Sequence, residues 1–115
     1  MTIDEFETYV AGLGHVVEPL AGADGQTYTV IRSVRDPAGA LAARTCDVAI
    51  LRNGSVPYIP PSAIHTRPAL VPMGTLATQP SAIGPEWQYW SRRFDRPVTA
   101  KGLWIHILTI LGEVA

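Results

Sequence analysis

Ser62, His65 and Asp47 are the residue types of a hydrolytic triad: a hydroxyl nucleophile, an imidazole base and a carboxylate to orient it. No G-x-S-x-G elbow accompanies them, and any protein of this size contains such a set, so they read first as satisfied structural residues. Three histidines, His15, His65 and His106, are scattered with no H-x-x-x-H pair and no paired carboxylates, so no metal site is expected. "WQYWSRRFDR" sets Arg92, Arg93 and Arg96 among Trp87, Tyr89, Trp90 and Phe94, a mixture able to stack on single-stranded nucleic acid. A formal net charge of −1 gives no drive toward a polyanion. The plainer reading is core tryptophans with arginines solvated or packed on rings. "GLG" at Gly12 and Gly14 follows a helix rather than a strand, so the dinucleotide reading fails and no cofactor is expected.

Cys46 is the only thiol. On a strand it alternates onto the face of Val48 and Ile50, where a thiol behaves as a small hydrophobe. Asp47 is adjacent and opposes a thiolate; Arg44 shares the face and would favour one. The expectation is a buried, protonated Cys46.

The elements that must position these groups follow from pattern. "TIDEFETYVAGLG" opens on a capping box, Thr2 with Glu5, and continues Ile3, Phe6, Val10, Leu13 at helical spacing to a stop at Gly14. "HVVEPL", "TYTVIRSV" and "TCDVAIL" read as strands, the first two joined by a turn at Asp24-Gly25. "RDPAGALAAR" reads as a loop. Val56 to Pro68, "VPYIPPSAIHTRP", carries four prolines and reads as a stiff strut, not a central strand. "ALVPMGTLATQPSAIGP" has no periodicity and reads as a long loop, the most mobile internal stretch. "EWQYWSRRF" reads as a short helix. "TAKGLWIHILTILGEV" is a helix capped by Thr99, with Leu103, Ile107, Ile110, Leu111 and Val114 in one stripe widened by Trp104 and Leu108.

The fold expected is α+β: an N-terminal helix, an antiparallel meander of three to four strands, the strut, the loop, and a C-terminal helix packed on the sheet. The 115 residues suggest a single domain, 1–115, and 47% hydrophobic content suffices for a core. With one cysteine, no basic leader and no apolar run long enough to span a bilayer, the expectation is a cytoplasmic protein with no membrane partner.

This order resembles the ubiquitin-conjugating enzymes, in which an N-terminal helix and a meander precede a "YP…PP" segment. A threonine, an H-P-N tripeptide, the catalytic cysteine, a tryptophan and closing helices then follow. In "VPYIPPSAIHTRPALVPM", Pro60 and Pro61 match the double proline and Thr66 the threonine, and Pro72 falls at the H-P-N proline. "EWQYWSRRF", with Trp87 and Trp90, resembles the "WQ-x-WSR" stretch of prokaryotic ubiquitin-conjugating family E. The resemblance implies a bacterial ubiquitin-like conjugation system. Its partners would be a ubiquitin-like protein and a ThiF-type activating enzyme or a catalytic conjugating subunit. The family's company suggests antiphage defence.

The departures carry equal weight. Val71-Pro72-Met73 stands at the tripeptide, without its histidine or asparagine, and no cysteine follows Cys46. Ser81 is nearest by count to the missing thiol, with no neighbouring base visible. The leading expectation is a fold of this class that has lost its thioester centre and serves as a binding or scaffold subunit. Alternatives are an active enzyme using Cys46, and a ligand- or nucleic-acid-binding α+β module.

Overall fold

The computed structural model describes residues 1–35, 45–94 and 99–114. Helix α1 (Ile3–Gly12) starts where the sequence capping signal lies. The Glu5 N–H donates to Thr2 Oγ1 at 3.1 Å, and the Thr2 N–H donates to the Glu5 carboxylate at 3.3 Å. Ile3, Phe6 and Val10 are buried, whereas Leu13 is the cap residue and 51% exposed, so the apolar stripe ends one turn earlier than its spacing suggests.

Strands β1 (Val17–Ala21), β2 (Thr27–Val34), β3 (Cys46–Leu51), β4 (Ala63–Arg67), β5 (Thr78–Pro80) and β6 (Gln88–Ser91) form one antiparallel sheet, in the order β1-β2-β3-β4-β6-β5. Helix α2 (Ala100–Leu111) closes the fold; its first turn is capped by Thr99, which accepts the Gly102 N–H at 3.0 Å. No helix among the described residues is long and apolar enough to cross a membrane.

The sheet has two covered faces. On one, Phe6 and Val10 of α1 and Leu103, Trp104, Ile107, Ile110 and Leu111 of α2 cluster with Ile31, Cys46, Val48, Ile50, Ile64 and Trp90. On the other, Tyr28, Val30 and Ala49 are covered by Ile83 and Trp87, which lie between β5 and β6. The α+β class, the meander and the packing of α2 against the sheet follow the sequence expectation.

Three segments do not. The strut ends early, and residues 63–67 form β4 between β3 and β6, in the middle of the sheet. Pro61 and Pro68 flank that stretch but none interrupts it, so every residue keeps its N–H for the ladder. The expected helix at "EWQYWSRRF" is strand β6: Gln88 and Trp90 point to the helix face and Tyr89 to the other, a period of two. Aromatic residues favour a half-buried pleat. The long loop contributes β5 as its partner, giving six strands where three to four were expected. The loop expected over "RDPAGALAAR" lies outside the described residues apart from Arg35, as do Arg44 and Arg96.

Both sheet edges carry a proline. The Arg32 N–H donates to Val16 O at 2.9 Å and the Gly22 N–H to Gln26 O at 2.8 Å, so even-numbered residues of β1 bond β2 and odd-numbered ones face outward. Pro19 is one of the outward residues, so the edge lacks an amide at its centre. On the far side the Ser91 N–H donates to Ala77 O at 3.1 Å, which turns Thr78 and Pro80 outward by the same parity.

Candidate functional site

Two neighbouring pieces of structure occupy the region where the sequence points to chemistry. The first is the loop from Leu70 to Ala77, held by Gln88. That side chain is fully buried. Its Oε1 accepts the Leu70 N–H at 2.9 Å and the Val71 N–H at 3.4 Å, while Nε2 donates to Val71 O at 2.9 Å. One carboxamide thus stands in for a strand partner at Val71. Further on, the Thr75 hydroxyl donates to Pro72 O at 2.6 Å and the Thr75 carbonyl accepts the Thr78 N–H at 3.0 Å. Gly74 (φ +89°) is followed by Leu76 and Ala77 at φ +52° and +55°, two successive side-chain-bearing residues in the left-handed region. Met73 and Leu76 are each 47% exposed at the tip. The stretch expected to be loose is tied at both ends.

The second piece is His65, buried at 6% exposure on the face of the sheet opposite the helices. Its Nδ1 lies 2.8 Å from Ser81 Oγ, which also accepts the Ile83 N–H at 3.1 Å. The rings of Tyr28 and Tyr89 flank it nearly edge-on, centroids 5.2 and 5.4 Å away. Burial pushes the His65 imidazole down to about 4, with Asp24 pulling weakly the other way, so the ring is neutral at pH 7. Asp24 does not sit behind His65 as a triad carboxylate would. Its oxygens accept the Tyr28 hydroxyl at 2.6 Å and the Gln26 N–H at 3.0 Å, bonds that hold its carboxyl below the usual range. Burial, then the bond to Asp24, raise Tyr28 to about 12. Ser81 has a hydrogen-bonded imidazole but, among the described residues, no acid that orients it, and the contact fastens the segment 81–87 to the sheet.

The triad types Ser62, His65 and Asp47 are not assembled. Asp47 accepts from Arg67 Nη2 at 2.8 Å and Nε at 3.1 Å and from the Ser33 N–H, and Ser62 is exposed. His65 instead finds Ser81, sixteen positions away, so the base absent from Ser81's sequence neighbourhood comes from β4. Cys46 is 3% exposed on the helix-facing side of β3. Thr66 accepts the Trp90 indole N–H at 3.0 Å, both fully buried, which ties β4 to β6. Pro60 and Pro61 are half-buried beside Tyr58, whose hydroxyl donates to Leu51 O at 2.6 Å. Pro72 is exposed on the Gln88-held loop.

The aromatic–basic stretch divides. Arg92 lies over the Trp90 ring and makes a two-pronged pair with Glu113 at 2.9 and 3.0 Å; Arg67 lies 4.6 Å over Trp87. Both tryptophans are core, Arg92 from the stretch and Arg67 from β4 rest on them, and among the described residues neither ring is left as an open platform. On the helix-bearing face a groove of about 270 Å³ lies between α1 and β1, with Ala11, Val17 and Pro19 in its lining. Its cation, Arg52, is spent on Asp4 and Glu7 at 2.9 and 2.8 Å. No three His, Cys, Asp or Glu side chains converge on a metal position among the described residues.

Gln88 was legible only as a polar residue between tryptophans. Read at a period of two, "WQYWS" places it inward beside Trp90, and a buried glutamine demands partners. Set against known proteins, the chain matches no family, no curated sequence and no solved structure.

Proposed function

We propose that this chain is a ubiquitin-conjugating-like subunit that binds its partners without carrying a thioester. The observation that carries the reading is the position of its single thiol. Cys46 opens β3, the third strand of the sheet, and is 3% exposed within the core cluster that residues of both helices share, a burial that withholds it from an activating enzyme or a tail. The loop that the sequence resemblance puts at the active centre presents Met73 and Leu76 instead, on a backbone fixed by Gln88. An exposed apolar tip on a loop anchored at Leu70 and Val71 suits recognition, because the anchor lowers the order left to be imposed on binding. The ubiquitin-like protein, the activating enzyme and a catalytic conjugating subunit are the partners this reading names.

The test mixes the protein with a ThiF-type activating enzyme and its ubiquitin-like protein, in the presence of ATP. A stoichiometric complex with no covalent adduct is expected. A thiol-sensitive adduct lost in Cys46→Ala, with the fold intact, would transfer the assignment to an active enzyme. A second reading, an ester on Ser81, draws on the imidazole 2.8 Å from its hydroxyl. It requires an adduct stable to thiols, cleaved by hydroxylamine and lost in Ser81→Ala.

A further inference from the structure

Residues 81–87 form a strap between β5 and β6 that crosses the sheet face opposite the helices. It has few fastenings. Ser81 meets His65, the Ala23 N–H donates to Ile83 O at 3.0 Å, and Trp87 slots beneath Arg67. Its apolar contribution is Ile83 and Trp87, laid on Tyr28, Val30 and Ala49. The helix-side core makes no use of it. Lifting the strap therefore uncovers an apolar face without dismantling the main core.

We propose that His65 and Ser81 form a proton-operated latch: the strap stays closed while the imidazole is neutral and opens locally when it is protonated, uncovering the face of Tyr28, Val30 and Ala49.

The geometry dictates the direction. His65 is walled by Tyr28 of β2, Tyr89 of β6, Ala49 of β3 and the strap itself. Among the charged and titratable groups there, Asp24 is engaged by the Tyr28 hydroxyl, Tyr28 stays neutral far above pH 7, and Tyr89 meets the imidazole through a T-shaped ring contact. Arg67, next on the same face of β4, is committed to Asp47 and adds positive charge rather than relieving it. Among the described residues only Ser81 hydrogen-bonds the ring. An imidazolium needs two acceptors and has at most one, a hydroxyl already accepting from Ile83. A second acceptor is found in water, and the strap is what excludes water. The latch is a property of the fold and does not depend on the partner reading above.

The magnitude follows from linkage. The ring titrates near 4 when closed, and near ~6.5 when open and hydrated, so lowering the pH from 7 to 5 multiplies the opening equilibrium about twentyfold. The test is residue-resolved amide exchange at pH 7 and pH 5, corrected for intrinsic rates. The reporter is Ala23, whose amide bonds the strap directly, compared with Ile31 and Val48 in the core strands.

The expected result is a drop in Ala23 protection of at least tenfold, with Ile31 and Val48 unchanged. In His65→Gln, or His65→Asn if that folds better, Ala23 protection should change by less than threefold. Ser81→Ala should show a loosened Ala23 already at pH 7. Equal protection at the two pH values in the wild type would overturn the latch. So would a common loss at Ala23, Ile31 and Val48, which reports global unfolding, or an equal pH response in the neutral variants.

Discussion

Replacing Gln88 by leucine tests whether one carboxamide organises the loop that leaves β4. The substitution keeps the volume close and the position apolar, so the perturbation is the loss of hydrogen bonds. Leu70 is 8% exposed, and its N–H has Gln88 Oε1 as its acceptor at 2.9 Å. Orphaning a buried donor costs about 1–3 kcal/mol. Val71 is only half-buried, so its carbonyl regains water in part and adds about 1 kcal/mol. The expected destabilisation is about 2–4 kcal/mol, read as a shift in the urea midpoint at unchanged slope. Amide exchange at Leu70 should accelerate by more than the global loss accounts for. The Gln88→Glu variant sharpens the test. At pH 7 it brings a carboxylate against Val71 O. Its folded pKa would be raised, so the penalty grows as pH rises above the ordinary value of ~4.3 and shrinks in acid. A loss under about 0.5 kcal/mol in Gln88→Leu, with the Leu70 amide still slow, would refute the reasoning.

Trp104 is 8% exposed and packs against His15 at 5.1 Å; Trp104→Ala should cost about 3–5 kcal/mol in denaturant unfolding, and a loss below 1 kcal/mol would mean the helix does not need its ring. Cys46 should react with a thiol reagent only at the rate of local or global opening, speeding up steeply in sub-denaturing urea; full reaction within the mixing time would contradict its burial. Leu76 holds φ +52° with an exposed side chain, so Leu76→Gly should stabilise the fold by about 0.5–1 kcal/mol once relieved strain is set against glycine's unfolded-chain entropy. A fall in melting temperature in that variant would mean the leucine packs on something.

Local signals placed the elements where local physics decides. The Thr2–Glu5 box marked the start of α1 to the residue, and the alternation of Cys46, Val48 and Ile50 put the thiol on the core face of β3. The misreadings fall where tertiary pairing decides. Residues 63–67 are five positions between prolines, too few to display a period, and they become a strand because β3 and β6 stand on either side. "WQYWS" has the bulk to suit either a helix or a strand, and its choice depends on partners 18 and 24 residues away: Leu70 for the Gln88 carboxamide and Thr66 for the Trp90 indole. The His65–Ser81 contact was out of reach for the same reason. Each residue was visible, and nothing local joined them.

Viewed as a unit in a growth reaction, a β-sheet with two open edges is a bifunctional monomer: each end can add another copy, and the product can add again. Pro19 and Pro80 act as chain terminators on the two ends, because each removes the outward amide that a new strand would need. Their value is greatest while a chain is being made and crowded against its siblings, when edges find each other before cores have settled. Termination at two ends is also redundant in a useful sense. Restoring the amide at Pro19 alone would permit edge-to-edge pairing into a closed dimer and nothing longer, since the other end stays capped. Open-ended growth requires both prolines to go.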